Sequence, residues 1–475
     1  MINGLNFTSL LTSSARVNSS VQVGATARAT SNNAASASQS ASAKVMFGSQ
    51  TQQIAAVYSL SPKKIDASLS LQQNAQLQGL MTLASGSGSV SAFAGLGSAL
   101  LSHLKDNRED VTQALSGAAL GVTKASSESA VTLDIVTQSG STVHLVMTEQ
   151  DDGMAVELKT EGEALNDDEA AAVANLSGAL EKTLRGLGQQ PPQLDIAGLT
   201  RFDSRMLKSV DLKTDMRNDQ GTLQSLNFHA DDKTRTVAYE DADFSLKMSS
   251  DTANSTLTGN YAQQQSALSA YDDKFDKARI AGHGDRDQMA ALKSVFRALN
   301  SNADADKKVN TTSKEIRIGD NGASQLSGLN DFSLSLTQTE KAINPARSDE
   351  KDRFAYTASQ STEESQRSSG EKVVVQTARS HLSAAWHAAL DPSIPLALNT
   401  MKSSQNYTYH LLENDEASTT TLDYNGRGQL ANVGYHEQVN NRETVKKYVL
   451  GKLIENTLTP EQYSRNKRLS LLSSL

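Results

Sequence analysis

Runs of alternating apolar and polar residues, separated by turns too short for a crossover, constrain this chain more than any other feature. Val131, Leu133 and Ile135 alternate with polar neighbours, as do Val143, Leu145 and Met147, with Ser139-Gly140 between them. Successive side chains of a strand point to opposite faces, so each run buries one face only. Strands joined by a few residues pair antiparallel, because a parallel return needs a crossover of a dozen residues or more. Met154, Val156 and Leu158 add a third such strand after Asp151-Asp152-Gly153.

The pattern recurs along the chain. Leu223, Leu226 and Phe228 mark one segment, and Phe244, Leu246 and Met248 another. Phe332, Leu334 and Leu336 alternate, then Phe354 and Tyr356, Val373 and Val375, and Tyr407, Tyr409 and Leu411. Asn425-Gly426, between Tyr424 and Leu430, reads as a type I′ turn, which needs positive φ at both central residues. The echo of Asp243-Phe244-Ser245-Leu246 in Asp331-Phe332-Ser333-Leu334 is too short for a repeat and reads as two strands sharing a pattern.

Helical spacing appears at Phe93, Leu96, Leu100 and Leu104, with a weaker continuation through Val111, Leu115 and Leu120. Asn166 with Glu169 forms a capping box ahead of Val173, Leu176, Leu180, Leu184 and Leu187, and Gly188 and Pro191-Pro192 end that helix. Leu268, Tyr271 and Phe275 mark another helix. Gly282-His283-Gly284 separates it from a partner capped by Asp285, with Met289, Leu292, Phe296 and Leu299. Near the end, residues 382–390 around Trp386 read as a short helix, Val445, Val449, Leu453 and Ile454 as a closing one, and Thr459-Pro460 as the start of a last one. The resulting fold class is α+β: antiparallel sheet units packed with helices. The expected division is a Ser/Ala/Asn/Gln-rich leader over 1–65, an α+β unit over 66–260, a helical pair over 261–300 and a second α+β unit over 301–475.

Charge separates the leader from the rest. Arg16, Arg28, Lys44, Lys63 and Lys64 precede the first acid, Asp66. The leader thus carries +5, and the remainder −13, against −8 for the whole chain. Its low-complexity core at 31–40 has no apolar periodicity and reads as disordered. An acidic body repels phosphate backbones, which disfavours nucleic acid as a partner. The absence of cysteine excludes disulfides, thiolate metal sites and cysteine nucleophiles. No run approaches the ~20 apolar residues of a membrane-spanning helix. Residues 1–11 lack the basic and apolar regions of a cleavable signal.

Tests for chemistry assign no catalytic, cofactor-binding or metal-ligating residue. His381 and His387, placed on a helix, are six apart and turn away from each other, whereas paired zinc ligands stand three or four apart. His410 and His436 could face each other across the last sheet, subject to register. Asn302, Asp304 and Asp306 begin like a calcium loop, but Lys307 and Ser313 stand where glycine and glutamate are required. Asp272, Asp273 and Asp276 read as a solvated acidic face. Gly426-Arg427-Gly428 fits a loose dinucleotide pattern, but a strand follows it, so turn glycines are the better reading. One tryptophan and 5% aromatics weigh against a sugar-hydrolase cleft.

In composition alone, the cysteine-free chain with its acid-free Ser/Thr/Asn-rich start resembles proteins exported by bacterial type III and flagellar systems. The resemblance covers the first 65 residues and the cysteine count. It implies an uncleaved export signal and a non-enzymatic structural or interaction role with protein partners. The alternatives are a cytosolic binding module, an enzyme whose site is assembled from dispersed residues, or an organelle protein with a transit peptide.

Overall fold

The computed structural model describes residues 79, 81, 91–116, 129–150, 153–217, 222–253, 258–300, 325–367 and 370–470. The leader, residues 117–120 of the weak second helix and the calcium-like Asn302, Asp304 and Asp306 lie outside these.

The strands are β1 (Val111–Ser116), β2 (Ser129–Thr137), β3 (Thr142–Gln150), β4 (Gly153–Glu161), β5 (Leu207–Arg217), β6 (Leu223–Ala230), β7 (Thr234–Glu240), β8 (Phe244–Asp251), β9 (Asp331–Gln338), β10 (Arg353–Gln366), β11 (Lys372–Ala389), β12 (Tyr407–Tyr424), β13 (Leu430–Val449) and β14 (Lys452–Ser470). All of them join one 14-stranded sheet in the order β1-β4-β3-β2-β5 and then sequentially to β14. Every pairing is antiparallel. Strand makes up 50% and helix 22%, so the fold is mostly β with a helical layer. One sheet stands where separate units were expected. β8 and β9 pair along their length, so one sheet holds the strands on both sides of the polar 301–330 segment.

The helices are α1 (Ser91–Asp106), α2 (Asp167–Ala174), α3 (Ser177–Leu187), α4 (Tyr261–Ala281) and α5 (Arg286–Asn300). The expected capping box exists: the Asn166 side chain accepts from the Glu169 N–H at 2.9 Å, and Glu169 accepts from the Asn166 N–H at 3.2 Å. The helix it opens divides at Asn175–Leu176 into α2 and α3. All five helices bury their apolar stripes with the alternate residues of β2–β10 in one continuous core, from Val131 and Leu145 through Phe228 and Leu246 to Leu336 and Phe354. Inside it Tyr271, Phe275, Phe296 and Phe332 meet at centroid distances of 5.0 to 6.1 Å, the edge-on range that aromatic quadrupoles favour.

No described helix covers the opposite face, formed by the other half of each alternation, although Val146, Thr148, Ala155 and Glu157 on it are buried. Across β5–β10 it presents Lys213, Asn227, Ala238, Lys247, Ser335 and Thr357, which stand directly opposite one another strand by strand. From β11 onward the strands reach 18 to 20 residues, about 60 Å at 3.4 Å per residue. Leu382, Ala384, Trp386 and Leu412 still reach the main core, and two small clusters cover the ends. On the helical face, Leu326 packs on Val374, Leu422, Tyr424 and Val433. On the open face Leu396 and Leu398, from the β11–β12 connection, pack on Tyr407, Tyr409 and Tyr448. β14, exposed along nearly its whole length, extends the sheet as a single layer, and cross-strand charge pairs such as Lys372 with Glu364 at 2.6 Å and His410 with Glu443 at 2.9 Å join neighbouring long strands.

Five local readings are corrected. Residues 382–390, the closing segment at 445–454 and Thr459-Pro460 are not helices but parts of β11, β13 and β14. Leu382, Ala384 and Trp386 face the core while His381, Ser383 and Ala385 face away, the two-residue period of a strand. Val111 and Leu115 belong to β1. The Asn425 turn is wider than type I′: Asn425 N–H donates to the Gln429 carbonyl, Gly428 N–H to the Asn425 carbonyl, and Gly428 alone takes positive φ, at 74°. That is a three-residue loop with a left-handed glycine.

Candidate functional site

Histidine is the best guide to chemistry in a chain without cysteine, and half of the histidines share one arrangement. Antiparallel register places His144 opposite Asp134, His229 opposite Asp211 and His381 opposite Asp415, all on the open face. Their Nδ1 atoms lie 2.6, 2.6 and 2.8 Å from those carboxylates. A second carboxylate approaches each Nε2: Glu161 at 3.6 Å, Asp231 at 3.4 Å and Glu413 at 3.5 Å. For His229 the hydrogen bond to Asp211 outweighs burial and raises the imidazole above its usual pKa. Nδ1 of each ring is hydrogen-bonded to an acid and Nε2 is turned toward a second one, an arrangement that ties two or three strands together.

His387 repeats the pattern in the interior. Its Nδ1 is 2.5 Å from Asp352, and its Nε2 is 3.6 Å from Glu350. Glu350, 3% exposed, accepts hydrogen bonds at 2.6 Å from both Tyr407 and Tyr448. Burial, reinforced by the bond to Glu350, pushes the Tyr448 hydroxyl up to about 12, and Tyr407 is raised for the same reasons. The Arg347 guanidinium lies 4.4 Å above the Tyr448 ring. Buried Asn344 and Gln405 exchange amide hydrogen bonds of 2.9 and 3.0 Å, tying the β9–β10 connection to the start of β12 over this cluster.

On the helical face behind it, Trp386 lies between two imidazoles. His283 stacks on one side at 4.3 Å and His410 on the other at 4.8 Å. His283 comes from the α4–α5 turn and holds φ at 54°, a left-handed conformation that histidine tolerates better than most residues. Burial first, and then His410, lowers its pKa. A Cβ on Gly284 would stand 2.7 Å from the Phe354 ring, so the turn can close onto the core only with glycine there. Beside the stack opens a cleft of about 220 Å³, lined by Trp386, His283, Lys341, Arg353, Gln288 and Gln338 among others. The Gln288 Oε1 and Gln338 Nε2 atoms on it are buried and without a hydrogen-bond partner.

The residues singled out from sequence fall as follows. His381 and His387 share the open face of β11, each with its own carboxylates. His410 and His436 do not meet: His410 is opposite Val445 on the helical face, and His436 is opposite Thr419 on the open one. Asp272 and Asp276 are not a bare acidic face, because they pair with Arg297 and Lys293 of α5. Gly426-Arg427-Gly428 is the β12–β13 turn. The His–Asp pairs were missed, though one was within reach: counting back from Ser139-Gly140 puts Asp134 opposite His144. Among the described residues, no group of three or more histidine and acidic side chains is placed to hold a metal ion. No described helix is long and apolar enough to cross a membrane, which says nothing of strands. No family model, curated protein or solved structure matches the chain.

Proposed function

We propose that this is a non-enzymatic structural or interaction protein, exported from a bacterial cell without a cleavable hydrophobic signal, whose partners are proteins. The observation that carries the reading is the uncovered half of the sheet. A 14-stranded antiparallel sheet, sequential from β5 to β14, leaves one face without a described helix and extends into strands of 18 to 20 residues, the last exposed along nearly its whole length. Surface of that extent, held by cross-strand charge pairs rather than by a core, suits contact with macromolecules more than enclosure of a small substrate. The histidine arrangement agrees with it, since those imidazoles are engaged in holding strands together. The export half rests on the +5, acid-free segment before Asp66. Fractionation of cells producing the full chain, with and without residues 1–65, tests it. Secretion of the full chain and retention of the truncated one are expected, and retention of both would refute export.

A second reading has its own support. The cleft beside Trp386 offers an aromatic wall together with one unpaired amide acceptor and one unpaired amide donor. Those features suit a small amide-bearing group, as a binding module would take. Saturable quenching of the single tryptophan by such a compound, lost in Gln288→Leu, would favour it.

A further inference from the structure

The last strand, β14, pairs with β13 along 19 residues, and among the described strands none pairs with its outer edge. Nearly all its side chains are exposed, including Leu453, Ile454, Leu458 and Tyr463. Pro460 stands in mid-strand, opposite Arg442. Proline has no N–H to donate, so it is tolerated where the backbone faces away from the neighbouring strand. Backbone groups of alternate residues face alternate sides. Residues 462, 464, 466 and 468 therefore share the outward direction of Pro460 and form an open hydrogen-bonding edge.

We propose that this edge pairs antiparallel with the same edge of a second copy of the chain, about a twofold axis at Ser464. In that register Gln462 lies opposite the partner's Asn466, and Ser464 opposite the partner's Ser464. Between these positions Tyr463 meets the partner's Arg465, and Glu461 meets the partner's Lys467, each contact occurring twice by symmetry. Pro460 falls opposite the partner's Arg468, one hydrogen-bonding pair in from the ends of the ladder at 458 and 470, where it removes a single donor on each side. Neighbouring registers are worse. An axis at 465 sets Arg465 against itself, and one at 466 sets Arg465 against Lys467. An axis at 463 pairs Glu461 with Arg465 but brings both prolines nearer the centre of the ladder, opposite the partner's Asn466. The charge order of 461–468, one acid followed by three bases, is thus self-complementary in a single register free of both faults.

The inference deepens the interaction-protein reading, and its test does not depend on export. Sedimentation equilibrium of the full chain should show a reversible monomer–dimer equilibrium. Glu461→Lys sets two lysine pairs against each other and should weaken dimerisation about tenfold or more. Lys467→Glu alone should do the same, and the double exchange E461K/K467E should restore it. Ser464→Pro, which removes only an outward donor, should abolish it while leaving circular dichroism unchanged. A wild-type chain that stays monomeric up to its solubility limit overturns the proposal, as does E461K dimerising like wild type. Restoration by E461R/R465E instead of E461K/K467E overturns the Ser464 axis. A monomeric wild type that is nevertheless secreted would refute the pairing and leave the export reading intact.

Discussion

Glu350 is the residue whose loss the structure makes most costly. It is buried, and it accepts two hydroxyl hydrogen bonds of 2.6 Å from strands β12 and β13 while facing His387 on β11. Glu350→Ala leaves Tyr407 and Tyr448 without acceptors in the interior and removes the second carboxylate beside His387. Hydrogen bonds of this kind contribute roughly 1.5–3 kcal/mol each, so the loss should total about 4 kcal/mol. That is a large share of the ~5–15 kcal/mol available to a folded domain. Glu350→Gln keeps an acceptor and should cost about 1–2 kcal/mol. Urea unfolding, followed by Trp386 emission one residue from His387, reads these values. Tyr407→Phe should cost about 1.5 kcal/mol in the wild type and much less in the E350A background, because its partner is already gone. An E350A variant within about 1 kcal/mol of wild type, or full additivity with Y407F, would refute the account of this cluster.

Other outcomes follow from the same geometry. The raised pKa of His229 means its contribution is complete below the unfolded value near 6.5 and is lost as pH rises through the higher folded value. His229→Gln should therefore cost about 1 kcal/mol at pH 5.5 and approach zero at pH 9, measured by denaturant midpoints across pH. His283 is shifted the other way, so quenching of Trp386 by its protonated ring should titrate with a midpoint below 6.5 and vanish in His283→Asn. Gly284→Ala drives a methyl into the Phe354 ring, itself 1% exposed, and should lower stability by about 1–3 kcal/mol in thermal unfolding. Asn166→Ala removes the capping box of α2 and should cost about 1 kcal/mol, read in the same way.

What could be read from the sequence depended on whether a segment has one dry face. β2 alternates cleanly because its odd and even residues meet different surroundings, β3 and β4 keep the alternating sequence although Val146, Thr148, Ala155 and Glu157 are buried as well, and α2, α4 and α5 announce themselves through Asn166, the Gly282-His283-Gly284 turn and Asp285. The single layer gives no such contrast. Along β14 nearly every position is exposed, so the two-residue period disappears and Thr459-Pro460 looks like a helix start. In β13, Val445 and Val449 are four apart, but it is Tyr448 between them that joins the small tyrosine cluster. Residues 382–390 were misread for a different reason, since alanines at 384, 385, 388 and 389 favour helix until cross-strand pairing with β12 overrides them. β5 and β7 were passed over; β5 shows the alternation of Val210 and Leu212 only over a short stretch among charged residues. The site residues were less legible still. His381 and Asp415 meet across a connection of 17 residues between β11 and β12, and no local spacing reports that register.

The functional account stands most directly on residues 1–65. The decisive measurement fuses that segment to a reporter without a signal of its own and quantifies reporter outside the cells of a bacterium with a working type III or flagellar export system. The account predicts reporter in the medium, dependent on an intact export apparatus and absent for a fusion whose five basic residues are replaced by glutamate. Reporter retained in every secretion-competent strain would contradict it.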